Sequence, residues 1–171
     1  MKTLRTRLGA FALSAATIFL HSEHASATTI WQVDDLTTYS QGIWGGGYPP
    51  VNAGATLLVA QFNTVYASLG GVVAGSSSGF TIAFTDAPSV LAYMPSVGSY
   101  AALNSSVLNP ISTSSGAFGG DVMALTFNVD FSDAGLLPGT SGLRFGDLTL
   151  DNFTGTLAPL DGLTVRQFLE T

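Results

Sequence analysis

The sequence predicts a single α+β domain in which a small sheet packs against several short helices. The clearest strand covers residues 80–85, where Phe80, Ile82 and Phe84 alternate with Thr and Ala at the two-residue period of a half-buried strand. The clearest helix covers residues 54–69, where apolar residues recur at steps of four, three and four. With 46% hydrophobic residues, the chain can build a proper core. An all-β sandwich is the alternative fold.

The elements before the strand follow from periodicity and from capping residues. Residues 37–43 alternate in the way that a strand permits, and glycines and prolines then force an irregular backbone. Asn52 is the expected N-cap of the helix over 54–69, and Gly70 its natural stop. Residues 72–73 predict a short strand. The expected apolar face of the helix is formed by Leu58, Phe62, Val65 and Leu69.

Short elements are also predicted after the strand. Asp86 can start a helix that has Pro88 in its first turn, and Pro95 would end it. Residues 99–108 are interpreted as another short helix. The segment 118–131 fits both a strand, with alternating apolar residues, and a helix, with apolar residues at steps of four, three and four. Length and the cap candidates Ser114 and Ser115 favour the helix.

The last part of the chain predicts a loop over 132–142, a short strand within 143–150 and a final helix. Thr164 caps this helix, and Val165, Phe168 and Leu169 form its apolar face. The helix stops after about two turns, which is short for a docked helix. We therefore expect it to be truncated and frayed, and its apolar face to favour self-association or a partner.

The first 27 residues have the layout of a secretory signal peptide. A basic start is followed by an apolar run over 8–20 and by Ala25-Ser26-Ala27, the small-residue pattern that signal peptidase needs. The apolar run is too short for a membrane span, which needs about 20 apolar residues. Both histidines, His21 and His24, would leave with this segment. We expect a secreted domain over 28–171 that has no membrane span.

The composition of residues 28–171 excludes several kinds of chemistry. This part contains no Cys, His or Lys, so nucleophilic sites that need Cys–His, Ser–His–Asp or lysine are excluded, and zinc, copper and haem sites are disfavoured. It has two arginines and ten acidic residues, which makes its formal net charge −8. Nucleic-acid binding is disfavoured, because it depends on neutralising phosphates. The sequence therefore predicts a protein that is not an enzyme and has no cofactor.

Two weak candidate sites remain in the sequence. Asn128, Asp130 and Asp133 resemble the oxygen ligands of a calcium loop, but the glycine and glutamate positions of an EF-type loop do not match. Ca²⁺ is therefore a weak candidate. Tyr39, Trp44 and Tyr48 lie in a Gly-rich segment, where exposed rings could stack on sugars. The competing interpretation is that Trp44 anchors this segment to the core.

Four stretches carry a resemblance to a known family: YSQGIWGG, LAYMPSVGSYAALNSSVLNP, GAFGGDVMALTFNVDFSDAG and FGDLTL with LDGLTVRQFLE. Together they resemble an uncharacterised domain of secreted and cell-surface bacterial proteins, often found with C-terminal sorting or anchoring segments. The resemblance covers most of residues 37–171 and implies no activity, ligand or catalytic residue.

These observations favour a secreted, non-enzymatic surface or matrix module that acts by association with other surface or secreted proteins. The alternative is a carbohydrate-binding module that uses the aromatic residues near 39–48 and recognises polysaccharide.

Overall fold

The structure is a computed structural model that describes residues 35–46, 49–76, 78–137, 139 and 142–171. It has the predicted α+β class, with several helices and one small mixed sheet. The predicted leader, residues 1–27, lies outside the described residues. The helices are α1 (Gln41–Trp44), α2 (Ala53–Tyr66), α3 (Ala87–Tyr93), α4 (Ala117–Asp133) and α5 (Val165–Glu170). The strands are β1 (Val72–Ala74), β2 (Ile82–Phe84) and β3 (Val107–Leu108).

The sheet has the order β1-β2-β3, with β1 antiparallel and β3 parallel to β2. The predicted strand over 80–85 is therefore confirmed at its centre. Ile82 and Phe84 point into the core, whereas Phe80 is 49% exposed and lies outside the strand. The predicted strand at 72–73 is also confirmed, as β1. In the part of the chain that is described, no helix is long and apolar enough to cross a membrane.

Helix α2 begins as the sequence predicts and ends earlier. The Asn52 side chain accepts a hydrogen bond from the Ala55 N–H at 3.1 Å, which satisfies one of the free donors of the first turn. Tyr66 is buried at the last turn, whereas Leu69 is 74% exposed. The reason is that the chain tightens into a 3₁₀ turn over Ala67–Leu69, which rotates Leu69 off the predicted face.

Helix α3 forms for the predicted reasons. The Asp86 carboxylate accepts a hydrogen bond from the Ser89 N–H at 2.8 Å, and Pro88 lies in the first turn, where no N–H is needed. The helix ends before Met94, whose backbone is extended, as the residue before a proline prefers.

Helix α4 resolves the ambiguity of the segment 118–131 in favour of the helix. Its buried residues are not confined to one stripe: Gly119, Gly120, Met123, Ala124, Thr126, Phe127, Asn128, Val129 and Phe131. A helix buried on most sides satisfies both periods, so the alternation was not evidence of a strand. The cap prediction was wrong, because Gly116 is the N-cap and no side chain caps the helix.

Three short predictions were wrong. Residues 37–43, whose alternation permits a strand, do not form one, because helix α1 begins at Gln41. The predicted helix over 99–108 is extended and ends in β3. The predicted strand within 143–150 is a 3₁₀ turn over Phe145–Asp147 followed by one isolated bridge, between Thr149 and Thr164.

Aromatic side chains from α1, α2 and α4 fill the centre of the core. Trp44 is fully buried and packs edge-on against Phe131, with ring centroids 5.0 Å apart. Its ring also lies 5.5 Å from that of Phe127. On the sheet side, the ring of Phe84 is tilted against that of Tyr93 at 5.3 Å. These contacts join the N-terminal segment, the helices and the sheet in one core.

Candidate functional site

The structure does not present the predicted aromatic residues as a sugar-binding face. Trp44 is 0% exposed, and its Nε1–H donates a hydrogen bond to Asn128 Oδ1 at 3.1 Å. The ring of Tyr39 is half-buried and packs against Trp44 at 5.3 Å. The interpretation of Trp44 as an exposed binding residue was wrong, because this ring anchors the Gly-rich segment to the core. Tyr48 lies outside the described residues.

The predicted calcium ligands are committed to other partners. Asn128 is buried, and its Oδ1 also accepts the N–H of Tyr39 at 2.8 Å, while its Nδ2 donates to the Tyr39 carbonyl at 2.9 Å. Asp133 forms an ion pair with Arg166 at 2.7 Å. Because α4 is helical here, Asn128, Asp130 and Asp133 do not form a loop that wraps an ion. The described residues contain no group of three His, Cys, Asp or Glu side chains suited to a metal.

A cleft of about 530 Å³ lies between β1 and three helices. Its walls are the end of α2 with the following turn, the whole of β1 with its flanking residues, and the middle of α4. Residues of α5 complete the wall. The described residues that line it include none from β2 or β3. The cleft therefore lies on the side of β1 that faces away from the rest of the sheet.

Backbone hydrogen bonds show how β2 divides its polar groups between its neighbours. The Thr81 carbonyl accepts the N–H of Val107 at 2.9 Å. The Ala83 carbonyl accepts the N–H of Asn109 at 2.8 Å. The N–H and C=O of one residue point to the same side of a strand, and the side alternates along the chain. Ile82 and Phe84, which alternate with these two residues, therefore direct their backbone N–H and C=O groups towards β1.

This alternation leaves one residue of β1 with its backbone groups directed outward. In the register of the two strands, Val72 is the partner of Phe84, and Ala74 is the partner of Ile82. Because these two β2 residues direct their backbone groups towards β1, both pairs are hydrogen-bonded pairs. Val73, between them, directs its N–H and C=O away from β2. The described residues provide no hydrogen-bond partner for these two groups. Within the described part of the chain, β1 is thus an open sheet edge beside a cleft, and an edge of this kind can pair with another chain.

A buried polar pair lies in the wall of the cleft. The Tyr66 hydroxyl donates a hydrogen bond to Asp130 Oδ2 at 2.8 Å. Burial, followed by the charge of Asp130 and this hydrogen bond, raises the pKa of Tyr66, so its hydroxyl stays protonated as a donor. Burial also raises the pKa of Asp130, although the Tyr66 hydrogen bond and Arg166 act in the opposite direction. Asp130 Oδ1 has no hydrogen bond to another described residue.

Beside the Tyr66–Asp130 pair, Arg166 connects α5 to the end of α4 and to the 3₁₀ turn over Phe145–Asp147. It forms ion pairs with Asp133 at 2.7 Å and with Asp147 at 3.4 Å. The hydrogen bond to Asp133, more than any other contact, raises the pKa of Arg166. The capping box of Thr164 and Gln167 also orders the first turn of α5. Helix α5 is thus fixed by polar contacts that its apolar residues alone do not predict.

Apolar side chains of the cleft are accessible to a ligand. Leu69 is 74% exposed at the turn after α2, and Val73 is 59% exposed on the outer face of β1. The half-buried Leu169 adds apolar surface from α5. The cleft therefore combines an open backbone edge, apolar walls and a carboxylate.

Sequence reasoning missed most of this site. Asp130 was singled out, but as a calcium ligand, and Tyr66 was not singled out at all. Their pairing depends on α2 and α4 lying side by side, and no local pattern reports contacts between residues 64 positions apart. The capping pattern Thr164–Gln167 was a local signal for the start of α5.

We expect Asp130→Asn to raise the free energy of unfolding at neutral pH and to leave it nearly unchanged at about pH 3. The folded state binds the Asp130 proton more tightly than the unfolded chain, where the pKa is about 3.9. The folded domain therefore loses stability as the pH rises from about 3.9 through the raised pKa. An amide still accepts the Tyr66 hydrogen bond without a charge. Urea unfolding across this pH range measures the effect.

Asp86→Asn is the matched control for Asp130→Asn. The backbone N–H of Ser89 lowers the pKa of Asp86, so its stabilisation is present above about pH 3.9 and is lost as the pH falls through the lowered pKa. Asp86→Asn should therefore destabilise the domain at neutral pH. If both variants changed stability in the same direction, the effect assigned to burial of Asp130 would be wrong.

Comparison with known proteins adds no assignment, because no family model, curated protein or solved structure matches this chain.

Proposed function

We propose that this domain is a secreted, non-enzymatic module of the bacterial surface or matrix that associates with other proteins by accepting an extended segment of a partner along β1. The observation that carries the proposal is the outward direction of the Val73 N–H and C=O at the border of the cleft. In β-strand addition, main-chain hydrogen bonds provide affinity and side-chain pockets provide specificity. The secreted location is supported by the signal-peptide pattern of residues 1–27.

The chemistry of the cleft specifies the partner segment. A strand added to β1 would place alternate side chains towards the apolar surface of Leu69 and Leu169. One oxygen of the Asp130 carboxylate has no hydrogen-bond partner among the described residues, which suits a lysine or arginine of the segment. The formal net charge of the whole chain is −6, so electrostatic attraction also favours a basic segment. The partner is therefore an extended peptide with alternating apolar residues and at least one cationic residue.

Peptide selection tests this proposal. A random peptide library displayed on phage, selected against the domain, should yield extended sequences with alternating apolar residues and a Lys or Arg. We expect Val73→Pro to abolish binding of these peptides, because proline has no N–H to donate. The Val73 N–H is not part of the β1–β2 ladder, and proline is tolerated at a strand edge of this kind. Thermal unfolding checks that the variant remains folded.

Val73→Thr is the control, because it keeps the backbone N–H and the β-branched shape. It should retain binding within about threefold, a change of less than 1 kcal/mol. If Val73→Pro folds and binds the selected peptides normally, or if they shift no amide signal of residues 71–76, strand addition at β1 is wrong.

A further inference from the structure

Two exposed aromatic rings lie together on a surface away from the cleft. Tyr100 is 69% exposed and Phe118 is 49% exposed, on the loop after α3 and in the first turn of α4. Their ring centroids are 6.2 Å apart and their planes are nearly perpendicular, at 88°. Val97, on the same loop, is 80% exposed. Burying this much apolar surface inside the domain would have been favourable, so its exposure is notable.

Polar groups with fixed directions lie at the base of these rings. The Tyr100 hydroxyl donates to Asp121 Oδ2 at 2.9 Å, and Gln41 Nε2 donates to Asp121 Oδ1 at 2.8 Å. Gln41 Oε1 in turn accepts the N–H of Ser96 at 3.0 Å. Asp121 is exposed, and each of its oxygens can accept a further hydrogen bond. The ring of Tyr100 is thus oriented by a carboxylate that is still able to bind a ligand hydroxyl, and the ring of Phe118 packs against Tyr100.

The loop that carries Tyr100 is held to the start of α4 by its own hydrogen bonds. Ser96 Oγ donates to the Gly116 carbonyl at 2.9 Å. The N–H of Ala117 donates to the Gly98 carbonyl, and the N–H of Ala101 to the Ser115 carbonyl, both at 3.3 Å. The rings therefore need little ordering when a ligand binds, which lowers the entropic cost of binding.

We propose that Tyr100, Phe118, Asp121 and Gln41 form a binding platform for a neutral polysaccharide. A flat aromatic ring matches the apolar C–H face of a pyranose, and a carboxylate and an amide match its hydroxyl groups. Neither arginine of the described residues contacts Asp121, so the platform offers no cation to an acidic sugar. The platform uses side chains only, in contrast to the open backbone edge at β1, and its function does not depend on that of the cleft.

Nuclear magnetic resonance titration with neutral hexasaccharides tests this proposal. The probes are cellohexaose, chitohexaose, mannohexaose and maltohexaose, each to about 10 mM, a concentration that detects millimolar affinity. At least one should shift the amide signals of residues 97–101 and 117–121. Tyr100→Ala and Phe118→Ala should each weaken its binding by about tenfold or more, since each removes one stacking ring.

Two further variants separate the contributions to binding. Tyr100→Phe keeps the ring but loses the hydrogen bond to Asp121, and it should weaken binding less than Tyr100→Ala does. Ile111→Ala removes an exposed apolar residue, 79% accessible, that lies outside the platform, and it should leave binding unchanged. Thermal unfolding of all variants excludes loss of the fold as the cause.

The proposal is overturned if none of the four saccharides shifts these signals, or if the shifts persist at the same concentrations in Tyr100→Ala and Phe118→Ala. It is also overturned if the peptides selected against the domain shift these amides while no saccharide does, because the surface would then be a protein contact. Acidic oligogalacturonate should bind more weakly than the best neutral probe, and the opposite order would contradict the assignment to neutral sugars.

Discussion

Replacing Trp44 by alanine is expected to lower the free energy of unfolding by about 3–5 kcal/mol. The ring is fully buried and contacts Tyr39, Phe127 and Phe131, so its removal leaves a large cavity at the centre of the core. Domains of this size are stable by only about 5–15 kcal/mol, so the variant should be close to unfolding. Urea unfolding followed by circular dichroism measures the change.

Trp44→Phe separates packing from hydrogen bonding. It keeps an aromatic ring but removes the Nε1–H that donates to Asn128 Oδ1, which still accepts the Tyr39 N–H. We expect a loss of roughly 1–3 kcal/mol, smaller than that of Trp44→Ala. A Trp44→Ala variant as stable as the wild type would contradict the central position of this ring and would reopen its role as an exposed binding residue.

The second large effect is expected at Gly116, the N-cap of α4. Its φ is +56° and its ψ is −140°, a combination that is essentially restricted to glycine. A Cβ here would also overlap the carbonyl oxygen of Ser99, and backbone cannot give way as a flexible side chain can. Gly116→Ala should therefore cost about 3 kcal/mol, the upper end of the range for backbone strain. Urea unfolding of the variant measures this loss.

Gly135→Ala is the matched control for Gly116→Ala. Gly135 also has a positive φ, +68°, but a Cβ at this position meets nothing within 4 Å. It should cost only about 1 kcal/mol, because the left-handed conformation is the single source of strain. Equal losses for the two variants would show that the contact with Ser99 is not what excludes a side chain from position 116.

The elements that sequence reasoning identified are those whose signals are local. The caps Asn52 and Asp86 and the proline at 95 marked the limits of α2 and α3, because these residues act on the backbone beside them. The strand at 82–84 followed from alternation alone. Helix α1 was missed because the contact between Trp44 and Asn128 determines the path of this segment, and these residues are 84 positions apart.

The candidate sites were harder to predict, since each is assembled from distant parts of the chain. An exposed tryptophan and a core tryptophan look the same in a sequence, and Trp44 proved to be the latter. Tyr100 and Phe118 gave no local signal, because their pairing depends on the hydrogen bonds between the loop and α4. The open edge at Val73 could be identified only when the register of the sheet was known.

The link between Asn128 and the segment 39–44 also predicts an order of events in folding. The hydrogen bond from Trp44 to Asn128 closes a loop of 84 residues. Most contacts within α2, α4 and the β1–β2 pair join residues that are closer together in the sequence. The closure entropy of a long loop must be offset by contacts that exist only when its far end is structured. We therefore expect helix α4 to form first and the segment 39–44 to dock onto it late. On the reverse path this segment is the first to leave, so local opening would uncover Trp44 while the helices and sheet stay assembled.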